Sequence, residues 1–185
     1  DPERVDDIIV GNAVPEAEQG LQMARWISVR SKLPNAVGGV TVNRYCGSGV
    51  ETIAMATAKV QAGMADCIIA GGAESMSRSP HSWQVARAGQ KMGDAKMLDM
   101  MVGALSDPFE GVHMGVTAEN VAAEHQITRE QQDAFALESQ KRAAAAIAEG
   151  RFKDQIAPIE VRVKRDMVPF DTDEHPKAST TAEGL

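Results

Sequence analysis

The chain has 185 residues, 43% of them hydrophobic, and a formal net charge of −7 at pH 7. That is the length of one ordinary domain, or of one domain with a large excursion, with enough apolar residues for a core. The acidic balance argues against a nucleic-acid or anionic-membrane partner, while leaving room for a local basic patch that holds one phosphorylated ligand, and no apolar run approaches the roughly 20 residues of a membrane span.

Asp6-Asp7-Ile8-Ile9-Val10 reads as a strand, closed by Gly11-Asn12. Leu21, Ala24 and Ile27 then fall at helical spacing and predict a helix over 17–33 that ends before Pro34. Val40-Thr41-Val42 is a second β-rich run. After it, Val50, Ile53, Ala54, Thr57, Ala58 and Gln61 recur at the spacing of a helix with one buried face, stopped at Gly63.

Cys46 lies between that strand and that helix, in Asn43-Arg44-Tyr45-Cys46-Gly47-Ser48-Gly49. A helix start presents unpaired N–H groups and the positive end of the helix dipole, which favours a thiolate there and makes Cys46 a candidate nucleophile. Gly47 and Gly49 would leave room for a substrate and let the backbone turn tightly. On position alone, a buried structural cysteine beside a glycine turn is the alternative.

Asp66-Cys67-Ile68-Ile69-Ala70 is a continuous apolar strand running into Gly71-Gly72-Ala73-Glu74-Ser75, and it places Cys67 in the core. Glu74 is either a carboxylate buried and paired within the sheet or a catalytic group. Three βα-type repeats in 75 residues predict an α/β fold, with a parallel sheet, packed helices and right-handed crossovers. Ligands of such sheets gather beyond the carboxyl ends of the strands, where Cys46 and the glycine turn at 71–75 both lie.

From Met76 the character changes to scattered charge and methionines, predicting an inserted, mostly helical excursion over 76–185. Thr128-Arg129-Glu130-Gln131 has the capping-box form, and its helix runs through the alanines 143–146 to Gly150. The segment 156–163 is a strand candidate, and the tail with Pro169, Pro176 and Ser179-Thr180-Thr181 reads as loop. Two irregularly spaced cysteines make no disulfide framework and have no Cys/His neighbours for zinc. With no charged-then-apolar leader, a reducing cytoplasmic setting is expected.

Five segments in order give the chain a family resemblance. They are Val42-Asn43-Arg44-Tyr45-Cys46-Gly47-Ser48-Gly49, Ala70-Gly71-Gly72-Ala73-Glu74-Ser75-Met76-Ser77, His113-Met114-Gly115-Val116-Thr117-Ala118-Glu119-Asn120, Ile127-Thr128-Arg129-Glu130-Gln131-Gln132-Asp133 and Gly150-Arg151-Phe152-Lys153. Together they resemble the thiolases, the acetyl-CoA acyltransferases and acetyltransferases. The resemblance implies a thiolase-like parallel or mixed sheet with packed helices, residues 1–75 being part of the N-terminal half-domain and 76–185 a loop domain. It makes the chain an internal segment of the family's length.

By the same resemblance Cys46 attacks the keto carbonyl of a 3-oxoacyl-CoA, the bond between the alpha and beta carbons breaks, and CoA collects the acyl group. The reverse condensation uses the same thioester. His113 and Met114 are placed beside the pantetheine arm, Leu105 near the adenosine end of CoA, and Lys177 where many relatives carry an arginine for the adenine and phosphate end. A lysine there keeps the charge but lacks the stacking surface and the fork. Gly184 stands where biosynthetic thiolases have serine.

The histidine base and second cysteine of the family have no counterpart here, since the histidines are at 81, 113, 125 and 175. Alone, this segment is therefore expected to show little or no thiolysis. Coenzyme A thioesters enter as substrates, with no permanently bound cofactor or metal. Arg87, Lys91 and Gly93-Asp94 resemble an excursion used for assembly, which implies a homodimer or homotetramer. Two other readings compete: a decarboxylating condensing enzyme of the ketosynthase kind, and a non-catalytic acyl-CoA-binding protein. His113-Met114 weigh against the first and the intact Cys46 setting against the second.

Overall fold

Ile8, Ile9 and Val10 are all buried because their strand is the middle of a three-stranded parallel sheet covered on both faces. A computed structural model describes residues 1–185. Its first strands are β1 (Asp7–Gly11), β2 (Val40–Val42) and β3 (Ile68–Gly72), in the order β2-β1-β3. Registers Gly11 to Val42 and Gly11 to Gly72 bring three strand ends level. Ile8 and Val10 point to one face and pack with Ala24 of helix α1 (Met23–Arg30) and with Val37. Ile9 and Gly11 point to the other, where helix α2 (Ser48–Gln61) crosses.

Two helices differ from their sequence expectation. The 17–33 segment is helical only over α1, after a single 3-10 turn at Ala17–Gln19. Leu21 is left-handed at φ 60 and largely exposed, while Gln19 is buried and spends its side chain on the backbone of Ser75, so this stretch is pinned by tertiary bonds and does not coil. In α2 the face against the sheet is made of the small polar residues Ser48 and Thr52, both buried. The apolar stripe expected to be buried points outward, with Val50 74% and Ile53 60% exposed.

The physical reason for the second difference is close approach. At Gly11 a Cβ would sit 2.8 Å from the carbonyl carbon of Ser48, so the helix start meets the strand with no room for a bulky side chain. The hydroxyls on this face are satisfied internally, Thr52 Oγ1 donating to the Gly49 carbonyl at 2.8 Å. Lys59 Nζ reaches Asp7 Oδ2 at 2.6 Å and ties the far end of α2 to β1.

Beyond β3 come the two-residue strands β4 (His81–Ser82) and β5 (Leu98–Asp99), paired antiparallel, and the short helix α3 (Met100–Ala104). The Asp99 side chain caps α3 by accepting from the N–H groups of Met101 and Val102. Cys67, expected in the core, is half-buried just before β3. Its N–H donates to Asp6 Oδ2, whose two backbone donors, on Cys67 and Asp66, hold the Asp6 carboxyl below the ordinary 3.8.

Contacts divide the chain into two compact units, Asp1–Val116 and Thr117–Leu185, and helix α4 (Met114–Glu124) runs across the division. The second unit carries α5 (Arg129–Ala148), which starts at the expected capping box: Thr128 Oγ1 accepts from Gln131 N and the Gln131 side chain accepts from Thr128 N. Gly150, left-handed at φ 66, ends it.

The strand expected over 156–163 is present as β6 (Ile159–Val163), and the stretch around Pro169, expected to be loop, pairs with it as β7 (Asp166–Phe170) in a hairpin. Pro169 is tolerated because a two-stranded ribbon has only edge strands. The turn uses Lys164, left-handed at φ 57, in place of the usual glycine or asparagine, so the sequence carried no turn signal.

Candidate active site

The three level strand ends lead into three turns that meet at Cys46. After β2 the chain passes through Asn43-Arg44-Tyr45-Cys46, with Gly47 capping α2 and no side-chain bond at that cap. The tight point of this turn is Tyr45, left-handed at φ 47, whereas Gly47 has φ −86. The glycines are thus not what turns the backbone. Gly49 lines the same cavity as Cys46, and a Cβ there would meet nothing within 4 Å.

A network of side-chain bonds holds the Tyr45 conformation, which costs energy for a non-glycine residue. Asn43 Oδ1 accepts from Tyr45 N at 2.9 Å. Ser48 Oγ donates to the Tyr45 carbonyl at 2.6 Å and accepts from Arg44 N at 2.9 Å, so this one buried hydroxyl clamps the turn from inside. The N–H groups of Gly47 and Ser48 are spent on the carbonyls of Arg44 and Tyr45. Arg44 Nε pairs with Glu51 Oε2 at 2.9 Å on the outer side.

Cys46 is exposed and lines a mostly apolar cavity of about 380 Å³, a size suited to a small acyl group and part of its carrier. Tyr45, Glu74, Met76, Met101 and Leu105 share its walls. Leu105, expected near the adenosine end of CoA, instead faces the same cavity as the thiol. His113 and Met114 do not line it but are tied to Leu105: Met114 N donates to the Leu105 carbonyl at 2.9 Å, and Ser106 bridges His113. His113 Nδ1 accepts from Gly115 N at 3.0 Å, which leaves the proton of the neutral ring on Nε2. Lys177 lies in the second unit, exposed, with its N–H donated to Gln140 Oε1 at 2.7 Å. Gly184 donates its N–H to Thr181 Oγ1 in the same unit.

Glu74 forms no ion pair within the sheet; its carboxylate accepts from Ala13 N at 2.7 Å, Val14 N at 3.3 Å and Asn12 Nδ2 at 3.1 Å. Asn12 and Gln19 are buried beside it and joined at 3.0 Å. Sequence reasoning named neither of these, nor Asn43 and Ser48, as site residues. Polar residues at the ends of apolar strands were the available signal. The arrangement presents one accessible thiol on a wall of carbon, with a polar brace behind it.

Comparison with known proteins bears on this site. The family model for the thiolase N-terminal domain matches residues 1–185. The chain is 46% identical to the beta-ketothiolase BktB of Cupriavidus necator, over 98% of this chain and 46% of that protein. It is 47% identical to the acetyl-CoA acetyltransferase of Thiocystis violacea, over all of this chain and 47% of that protein. Among solved structures, the acetyl-CoA acetyltransferase of Bacillus anthracis superposes with a TM-score of 0.91 at 38% identity, over 99% of this chain and 46% of that one. Human mitochondrial 3-ketoacyl-CoA thiolase, in complex with CoA, gives 0.89 at 38% identity and similar coverage. The chain spans about half the length of the relatives it matches.

Proposed function

This chain belongs to the thiolase family, matching its N-terminal domain, and on that premise we propose that the protein is an acetyl-CoA C-acyltransferase. The reaction is 3-oxoacyl-CoA plus CoA to acyl-CoA plus acetyl-CoA, or its reverse. Cys46 Sγ adds to the keto carbonyl, the carbon–carbon bond on the CoA side breaks, and the departing acetyl-CoA carbanion takes a proton. The acyl group stays on sulfur as a thioester until the thiolate of a second CoA takes it and Cys46 is released.

The observation that carries this reading is the exposed Cys46 thiol on the wall of a largely apolar cavity it shares with Leu105. A thioester nucleophile needs an accessible sulfur, fixed in direction and beside space for the acyl chain. The clamp of Tyr45 by Asn43 and Ser48 supplies the fixed direction. Leu105 would pack on the carrier near the thiol, with Met114 and the Nε2–H of His113 alongside it for the pantetheine arm, and Lys177 would meet a CoA phosphate.

Residues 1–75 serve in this proposal as part of the catalytic half-domain and 76–185 as the CoA-binding excursion. The base that takes the thiol proton and the group that protonates the carbanion belong to the remainder of the family's length. A homodimer or homotetramer completes the proposal. The two free cysteines and an obligatory free thiol suit a reducing, cytoplasmic setting. No helix is long and apolar enough to cross a membrane.

The test is incubation of the protein with acetyl-CoA followed by peptide mass spectrometry. An acetyl group on the Cys46 peptide, lost in Cys46→Ser, is expected. A label on another residue, or none on folded protein, refutes the assignment.

A further inference from the structure

The mechanism above uses a thiol and a cavity, yet the one carboxylate on the cavity wall, Glu74, has no part in it. Its oxygens face donors only. Oε2 accepts from Ala13 N at 2.7 Å, and Oε1 from Val14 N at 3.3 Å and from Asn12 Nδ2 at 3.1 Å, with no Lys, Arg or His paired to it. The Ala13–Val14 peptide, whose N–H is the Val14 donor to Glu74, continues the chain of bonds from its other end, because the Ala13 carbonyl accepts from Asn43 Nδ2 at 2.9 Å. Asn43 Oδ1 then accepts from Tyr45 N at 2.9 Å, one residue before Cys46 and at the left-handed point of the turn.

From this geometry we infer that Glu74 is a positioning residue for Cys46, acting from the end of β3 across the Ala13 and Asn43 links to fix the left-handed Tyr45 and so the direction of the thiol. Each link has a chemical requirement. The two N–H groups of Ala13 and Val14 need an acceptor at both Glu74 oxygens, which a carboxylate offers and an amide does not. Asn43 must donate on one side and accept on the other, which an amide does and a carboxylate does not. The turn after β2 is thereby referenced to the turns after β1 and β3, and the sulfur holds its place against the whole sheet edge.

The inference rests on Cys46 being the proposed nucleophile, and its test has a readout independent of turnover. In the full protein, the iodoacetamide alkylation rate of Cys46 is followed by mass spectrometry without substrate, beside kcat and KM for acetoacetyl-CoA thiolysis. Glu74→Gln is expected to change the alkylation rate and to lower kcat roughly tenfold to a hundredfold, the size expected when a reacting atom is misplaced by a fraction of an ångström to an ångström, with KM within about threefold.

Asn43→Asp keeps the acceptor for Tyr45 N but loses the donor to Ala13. It is expected to match Glu74→Gln, and the double variant to be no worse than either single one. Additive losses, or wild-type alkylation and kcat in Asn43→Asp, overturn the relay. If Glu74→Gln does not fold, Asn43→Asp alone decides by the same criterion. A protein with no thiolysis but relay-dependent alkylation would sink the functional proposal and leave the relay standing.

Discussion

Replacing Gly11 by alanine perturbs the fold and the thiol together. The added Cβ would lie 2.8 Å from the carbonyl carbon of Ser48, 2.9 Å from its Cβ and 3.0 Å from its oxygen. Two of those three atoms are backbone, so no side-chain rotation relieves the contact. To restore ordinary contact the start of α2 must recede by about 0.6 Å, from 2.8 to 3.4 Å. Overpacking of this kind costs about 1–3 kcal/mol.

Ser48 also carries the hydroxyl that clamps Tyr45 and Arg44, so a displaced Ser48 drags the Cys46 turn with it. In the full protein, under the proposed function, a shift of this size should lower thiolysis roughly tenfold or more, on the scale of a hundredfold per ångström. Urea unfolding at 25 °C measures the first effect, and Cys46 alkylation with thiolysis kinetics the second. Gly71→Ala, on β3, meets nothing within 4 Å and is the control, expected within about 0.5 kcal/mol of the parent. Parental stability and parental alkylation in Gly11→Ala would refute the claim that close approach of α2 to β1 sets the site.

Two predictions concern stability alone. The Asp6 carboxyl is held below 3.8 by the N–H groups of Cys67 and Asp66. Its contribution is therefore complete above pH 3.8 and lost as pH falls through the depressed value, so Asp6→Asn should give a shallower fall in unfolding free energy below pH 3.8, and an unchanged acid limb counts against it. Thr128→Ala removes the capping-box acceptor of α5 and should cost about 1 kcal/mol by denaturant titration, with Thr128→Asp recovering most of that; equal losses in both would deny the cap.

What was legible in the sequence was local. Apolar runs marked β1, β2 and β3 to within two residues, because a parallel strand covered on both faces must be apolar on both. The capping box fixed the start of α5 because its two bonds close within four residues. The same local logic failed where a distant partner intervened. Leu21 sits in a helical pattern but is left-handed, since the neighbouring Gln19 is bound to Ser75. The apolar stripe of α2 was read as its buried face, yet periodicity reports that a helix has two faces and not which one meets the sheet. β7 was hidden because Pro169 and a turn without glycine or asparagine both argue against a hairpin.

The sequence by itself determined that Cys46 stands between a strand and a helix, that the class is α/β, and that a second stretch of different character follows. Each depends on residues close in the chain, where side-chain type and spacing constrain the backbone directly. Only the tertiary structure decided the order β2-β1-β3, the approach of Ser48 to Gly11, the sharing of one cavity by Cys46 and Leu105, and the chain of bonds from Glu74 to Tyr45. Those depend on distances between segments dozens of residues apart. Strand pairing and helix packing set such distances, and no periodicity along the chain records them.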